Sequence, residues 1–417
     1  MEAKVSLPER AMRLLVNDHA GHPFPMRLSR ELARRGYTVR HTYCASVQQP
    51  RGDLRRCDTD PDSFSLRPLR LKKPFNRYGL VSRMAQEGEL GRLLAGELER
   101  FAPDMVLSGN TPLGAQARLL SSARRQKAGF VFWLQDLLGQ GIAQAVAEKL
   151  PCLGKAVGAY YIRLERRLLR KSQAVVAISE DFLPFLTQSK VTDGKISVIG
   201  NWSALDTIQS PGKDNPWSRM HGLAESFVFL YCGTCGLKHN ANLMLELAEW
   251  YRHHPGVAVV VVSEGPGADA LKAGKADRQL SNLQLFPFQP CERLAEVLAA
   301  GDVLVATLTP SANGFAVPSK VMTYLCAERP ILLAAPRSNL AARIVQTARA
   351  GIVVGPDLDS GFVRAAERLR SNPSLRTSLA QNGRRYALSA FDIRTIADRF
   401  ESIFCRCNPR PFRRQPD

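Results

Sequence analysis

Phe227-Val228-Phe229-Leu230-Tyr231-Cys232 decides the fold of this chain, together with the loop behind it, Gly233-Thr234-Cys235-Gly236-Leu237-Lys238-His239-Asn240, and the helical pattern from Ala241 to Tyr251. An unbroken apolar run bounded by turn residues reads as a strand buried on both faces, as in a parallel sheet. The design returns at Val317-Pro318-Ser319-Lys320, which opens a helix to about Ala327. Arg329-Pro330 stops that helix, and Ile331-Leu332-Leu333-Ala334-Ala335 is another buried strand. Proline suits a first helical position, where its missing N–H would be unpaired anyway. A lysine in a first turn opposes the helix dipole. That cost is offset when an anion sits among the free N–H groups and the ammonium. Two such loops in one domain point to a diphosphate; the alternative is that both lysines are solvated turn residues.

Outward from this stretch the pattern is strand, loop, helix throughout. Strands are read at Arg13–Val16, Tyr37–Tyr43, Asp104–Leu107, Gly129–Leu134 and Ala174–Ser179. Beyond Phe227 they continue at Val257–Val262, Leu283–Phe288, Val303–Ala306, Ile331–Ala335 and Ile352–Val354. Intervening helical patterns make parallel βαβ units the natural reading. A turn-rich break from Asn201 to Pro216 separates two Rossmann-like halves. Residues 12–200 form the first domain and 217–385 the second; a helix over 386–404 and a disordered tail over 405–417 follow. Residues 51–80, basic with scattered aromatics, read as a long loop or insertion.

At 417 residues, 45% of them hydrophobic, the chain can bury large cores. It shows no run long enough for a transmembrane helix and no secretory signal. Nine cysteines without framework spacing favour reduced thiols in a cytosol. Cys232 and Cys235 lack a partner pair with zinc spacing. The net charge of +19 is concentrated early, with 32 basic against 19 acidic residues up to Gly200 and 25 against 19 beyond it. Such a surface attracts nucleic acid, anionic lipid or phosphorylated substrates.

Five marks carry a resemblance: Gly233-Thr-Cys-Gly-Leu-Lys-His-Asn240, Val317-Pro-Ser-Lys-Val-Met-Thr-Tyr-Leu-Cys-Ala-Glu-Arg-Pro330, Asn339-Leu-Ala-Ala-Arg-Ile-Val345, Val131-Phe-Trp-Leu-Gln-Asp136 and a helix from Gly383-Arg-Arg-Tyr386 to Phe404. On these the chain resembles, over residues 12 to 404, the retaining glycosyltransferases of family 4, and more narrowly the bacterial colanic-acid and O-antigen type. The resemblance implies an α/β GT-B fold: two Rossmann-like parallel-sheet domains facing a cleft, with a C-terminal helix crossing back to the N-terminal domain. It implies transfer of a hexosyl or N-acetylhexosaminyl unit from a nucleotide sugar, UDP-linked, to a glycan or polyprenyl-diphosphate-linked acceptor, with retention. The donor would bind the second domain and the acceptor the first. No cofactor and no metal are expected.

The resemblance also assigns residues. Lys238 matches a lysine that neutralises the donor diphosphate. The arginine that precedes it in much of the family is absent: Thr234 stands where a Gly-Arg pair would put it, and Lys320 is the substitute cation. The family's paired glutamates are altered. One alignment puts their positions at Phe315 and Thr323, the other at Asn313 and Val321, and neither contains a glutamate. Thr323 can still hydrogen-bond a ribose. Gly233, Gly236, Asn240, Gly265, Gly314, Pro318 and Ser319 complete the donor side. In the first domain Gln135 replaces the histidine that many relatives place before an aspartate, leaving Asp136 as the polar candidate near the reacting centre, or as a helix cap. His19, Gly21 and His22 in the first loop are acceptor-side candidates, against a surface-loop alternative for each histidine.

Pro151 to Lys171 reads as a basic amphipathic helix suited to an anionic membrane surface, with an ordinary solvated helix face as the alternative. The expected location is therefore cytoplasmic and peripheral to the inner face of the cytoplasmic membrane. Two other functions remain open: a catalytically impaired GT-B nucleotide-binding protein, because the glutamates are missing, and a basic nucleic-acid-binding protein. No helix-turn-helix, zinc-finger or RNA-binding signature supports the second, so no nucleic-acid partner is expected. A dinucleotide enzyme would want a Gly-x-Gly-x-x-Gly after the first strand, and residues 17–25 lack it.

Overall fold

The structure, a computed structural model, describes residues 11–47, 54–76, 79–149, 153–203, 205, 208, 211–236, 238–310, 319–356 and 361–407. The chain forms two units. One holds residues up to Gly200 together with those from Ile393 onward; the other runs from Asn201 to Asp392.

The first unit is built on a seven-stranded sheet of β1 (Arg13–Asp18), β2 (Thr38–Cys44), β3 (Phe64–Leu69), β4 (Met105–Gly109), β5 (Gly129–Leu134), β6 (Ala174–Ala177) and β7 (Ile196–Val198). The order is β3-β2-β1-β4-β5-β6-β7, and every pairing is parallel. The second unit has six parallel strands: β8 (Phe227–Cys232), β9 (Val257–Val262), β10 (Leu283–Phe286), β11 (Val303–Thr307), β12 (Ile331–Ala334) and β13 (Gly351–Val354), in the order β10-β9-β8-β11-β12-β13. Strands β4, β5, β9, β11 and β12 are buried along their whole length, which is why their sequences are apolar runs, broken only by Ser108 in β4 and Thr307 at the end of β11. In both sheets the order reverses beside the first strand, between β1 and β4 and between β8 and β11. The crevice outside the carboxyl ends of such strands is where ligands bind in open α/β sheets.

Four points of the sequence reading are corrected. The segment over 51–80 is not a plain insertion: β3 pairs with β2 from Val39–Phe64 to Cys44–Leu69. It is an edge strand with exposed Arg67 and Pro68, and a charge and a proline on an edge hide the strand pattern while they block further pairing. β7 was also missed, being only three residues long and half-buried. The single helix over 386–404 is two, Pro373–Ala390 and Ile393–Cys407. The break falls at Phe391, which leaves helical geometry (φ −110°, ψ 17°) and is buried near Tyr386. The last helix also carries through Cys405 to Cys407; residues 408–417 lie outside the described residues.

That last helix packs into the first unit. Its Ile396, Ala397, Phe400, Ile403 and Phe404 are buried at helical spacing, and the Phe400 ring meets Trp133 of β5 edge-on at 5.1 Å. Each phenylalanine so buried stabilises the fold by about 1.5–3 kcal/mol. Arg35 fastens the helix from the side: its guanidinium reaches Glu31, Asp398, Glu401 and the Arg394 carbonyl at 2.6–2.9 Å.

Candidate active site

The crevice of the first unit is lined from the ends of β1, β4 and β5. Asp18, the last residue of β1, is 1% exposed. It accepts the His22 backbone N–H at 2.5 Å, and its other oxygen lies 3.3 Å from His22 Nδ1. Burial alone would raise the Asp18 carboxyl; the charge and hydrogen bonds of His22, with His41 behind, hold it below its ordinary value. Asn110, just after β4 and in the left-handed region at φ 53°, donates to Gln135 Oε1 at 2.7 Å and comes within 3.5 Å of Asp18. Asp18, His22, Asn110 and Gln135 thus form one polar network at the switch point. Asp18 and Asn110 were not among the sequence candidates. The signal was there for Asp18: a carboxylate ending an apolar strand.

Gly21 turns the first loop at φ 75°, where only glycine is unstrained, and a Cβ there would meet Leu54 at 2.9 Å. His19 is buried, its ring edge-on to Phe75 at 4.9 Å, so it is no surface-loop histidine. Asp136 is exposed at the turn after β5. Beneath that turn lies Glu165, wholly buried, whose Oε2 accepts the Gly139 N–H at 3.2 Å. Burial pushes its carboxyl up to about 8, and the Asp136 charge adds to the rise. Glu165 was not among the sequence candidates; it lies within the stretch read as a basic amphipathic helix. Asp60 of Asp58-Thr-Asp60 is engaged by Arg30 at 2.7 Å, and no group of three or more metal-ligating side chains occurs among the described residues.

The crevice of the second unit begins where β8 ends. Gly233 leaves the strand at φ 130°, and a Cβ there would lie 3.2 Å from Lys320 Cε. Lys238 is exposed, and its carbonyl accepts the Thr309 N–H at 3.0 Å, tying this loop to the segment after β11. Lys320 behaves differently. It is 9% exposed, and its ammonium donates to the Tyr231 hydroxyl at 2.5 Å and to the Thr234 carbonyl at 3.2 Å. Nζ also lies 4.2 Å from the centre of the Tyr231 ring. The solvated-turn alternative therefore fails for Lys320 and stands only for Lys238. One turn on, the Tyr324 hydroxyl accepts the Cys232 N–H at 2.8 Å and lies 3.0 Å from the Cys232 carbonyl. Lys320 and Tyr324, on the helix Ser319–Cys326, together hold the end of β8.

The remaining donor-side candidates fall into two groups. Asn240 donates to the Pro356 carbonyl at 3.2 Å, Gly236 N–H bonds His239 Nδ1 at 3.0 Å, and Thr323 Oγ1 lies 3.3 Å from Ser203 Oγ. Gly265 at φ 109° opens the helix Pro266–Asp277 against the Cys235 carbonyl. Asn313, Gly314 and Pro318 lie outside the described residues, and of Ser319 only the backbone is described.

Comparison with known proteins agrees with this architecture. Residues 22–202 match the "Glycosyl transferase 4-like domain" and residues 216–386 match "Glycosyl transferases group 1". The chain is 26% identical over 250 residues to "Probable glycosyltransferase WbjE" of Pseudomonas aeruginosa, covering 58% of this chain and 60% of that protein. It is 24% identical over 238 residues to "Putative colanic acid biosynthesis glycosyl transferase WcaI" of Escherichia coli (strain K12), covering 54% and 56%. The chain thus spans less than two thirds of the length of these relatives. The fold matches the crystal structure of Anabaena Alr3699/HepE in complex with UDP at a TM-score of 0.68 and 14% identity, over 95% of this chain and 100% of that one. With two parallel-sheet α/β units and both domains matched in order, the chain belongs to the glycosyltransferases that join a 4-like domain to a group 1 domain on the GT-B fold.

Proposed function

We propose that the protein moves a hexosyl or N-acetylhexosaminyl unit from a UDP-linked nucleotide sugar to a glycan or polyprenyl-diphosphate-linked acceptor in surface-polysaccharide biosynthesis, with retention at the anomeric carbon. The observation that carries this reading is the loop closing β8. It offers a glycine turn, an exposed lysine and a second, buried lysine beneath one stretch of backbone. Cations and oriented amides of that kind hold a diphosphate and stabilise the charge of a departing nucleotide. Because those cations belong to the chain, donor binding needs no divalent metal. In the acceptor unit, the network of Asp18, His22, Asn110 and Gln135, with exposed Asp136 nearby in sequence, is the polar surface against which an acceptor hydroxyl would lie.

The same reading includes a membrane partner, at the inner face of the cytoplasmic membrane. Lys155, Tyr160, Arg163, Arg167, Arg170 and Lys171 are exposed on the helix Leu153–Lys171, with Tyr160 55% exposed. A basic face with an exposed aromatic suits an anionic lipid surface. No helix among the described residues is long and apolar enough to cross a membrane.

Calorimetry with UDP-, GDP- and dTDP-sugars in the presence of a chelator tests the donor assignment. Binding of a UDP-sugar without metal is the expected result; a strict magnesium or manganese requirement counts against it. The anomeric configuration of the product, read by NMR against that of the donor, tests retention.

A further inference from the structure

Lys320 is a buried cation with no counter-ion among the described residues. It packs against the Tyr231 ring under the thin cover of Gly233, and its hydrogen-bond partners are two neutral oxygens, the Tyr231 hydroxyl and the Thr234 carbonyl. The side chains around it come from three elements. β8 supplies Tyr231 and Cys232, the loop supplies Cys235 and His239, and its own helix supplies Tyr324. None of these is an anion near neutral pH. Burial pushes the Cys232 thiol up to about 12 and raises the Cys235 thiol and the Tyr231 and Tyr324 hydroxyls. It pushes the His239 imidazole down to about 4, leaving it uncharged. A buried charge that is not paired costs several kcal/mol, so the group meets this by losing its proton or by acquiring a partner.

The loop geometry says where a partner would come from. The Thr234 carbonyl points in at Lys320. Across a trans peptide the Cys235 N–H points the opposite way, and no hydrogen bond among the described residues uses it. The same peptide therefore has its negative end on Lys320 and its positive end turned away from it; Lys238, in the same loop, is exposed.

We infer that the Lys320 ammonium takes its counter-ion from the ligand: a diphosphate seated over the Gly233–Thr234 loop completes the charge pair, and the protein takes up a proton at Lys320 as that ligand binds. This rests on the nucleotide-sugar reading above and adds to it a protonation step. In the free protein, burial holds the Lys320 amine down at about 7. A nearby dianion favours the charged form and raises that value. Affinity is then greatest below about pH 7 and falls as pH rises between the free and the bound values, approaching tenfold per pH unit. A sugar diphosphate has no phosphate group of its own titrating in this range, so the proton uptake belongs to the protein.

The test is calorimetry of the member of the UDP-, GDP- and dTDP-sugar panel that binds, at pH 8, in HEPES and in Tris, whose ionisation enthalpies differ. The parent should show a buffer-dependent enthalpy corresponding to uptake of about one proton. Lys238→Ala should bind more weakly with the uptake retained. Lys320→Met should lose both affinity and uptake while melting, without ligand, no lower than the parent, because an apolar side chain of similar length relieves the buried charge. Binding by the parent with the same enthalpy in both buffers overturns this inference and leaves the donor assignment standing. Failure of every nucleotide sugar to bind overturns both.

Discussion

Glu165 Oε2 accepts the Gly139 N–H at 3.2 Å, so a wholly buried carboxyl caps the helix that follows β5. Its value of about 8 stands above the ordinary 4.5. A carboxyl raised in the folded state contributes stability that is complete below about pH 4.5 and is lost as pH rises to about 8. Glu165→Gln keeps the acceptor and cannot ionise. The stability of the variant relative to the parent should therefore increase with pH by up to about 1.4 kcal/mol per unit in this window. Urea unfolding at pH 5 and pH 8 measures it, and a difference that stays flat would show that Glu165 ionises freely.

The exposed Lys238 and the buried Lys320 should differ on substitution. A hydrogen bond to a charged group contributes about 1.5–3 kcal/mol, and tenfold in affinity is about 1.4 kcal/mol. Lys238→Ala should weaken nucleotide-diphosphate affinity by roughly ten- to hundredfold with no change in Tm. Combined with Lys320→Ala, the losses should fall short of additive if both cations serve one anion. Unchanged affinity in Lys238→Ala would return that residue to the solvated-turn reading.

Vesicle binding should depend on the outer face of the helix Leu153–Lys171. Arg163, Arg167 and Arg170 are exposed there, whereas Arg166 is half-buried with its guanidinium 5.7 Å from the Phe185 ring. The informative variant changes the first three to Glu and spares Arg166. Each basic residue near an anionic surface contributes about 1 kcal/mol, and salt screens it beyond about 10 Å at 0.1 M. Parent protein should sediment with anionic vesicles at low salt and the triple variant should not. Equal sedimentation would make the face an ordinary solvated one.

Arg35→Ala removes the partner of Glu401, whose side chain is only 6% exposed. Breaking a buried pair from one side costs about 3–5 kcal/mol. The helix Ile393–Cys407 should then become the first segment cut in limited proteolysis. An intact helix under conditions that nick the parent would show that Phe400 and Phe404 hold it unaided.

Most of the architecture could be read from the sequence because central parallel strands are buried on both faces. Val257–Val262 has no polar residue to interrupt it. β3 was hidden for the opposite reason: Arg67 and Pro68 belong to an edge. The site was less legible. The Gly233 loop and Lys238 lie where the motif suggested, but the burial of Lys320 depends on Tyr231, 89 positions away, and no local pattern records it. Likewise Asp18 and Asn110 meet only because β1 and β4 are neighbours. Glu165 is buried under a turn made by a different segment, so its place on a charged helix concealed it.

The return of Ile393–Cys407 to the first unit bears on the order in which the chain acquires structure during synthesis. The whole of the second unit emerges from the ribosome while the first still lacks its last helix. Phe400 must reach Trp133, and Glu401 must reach Arg35, across 366 positions of chain. Nascent chains usually fold their leading domain first. Here the leading domain waits, with the surface around Trp133 uncovered, until the trailing one has been made. A chaperone that shields that surface for the length of roughly 200 further residues, at about 5–20 residues per second, would be engaged for about 10–40 seconds.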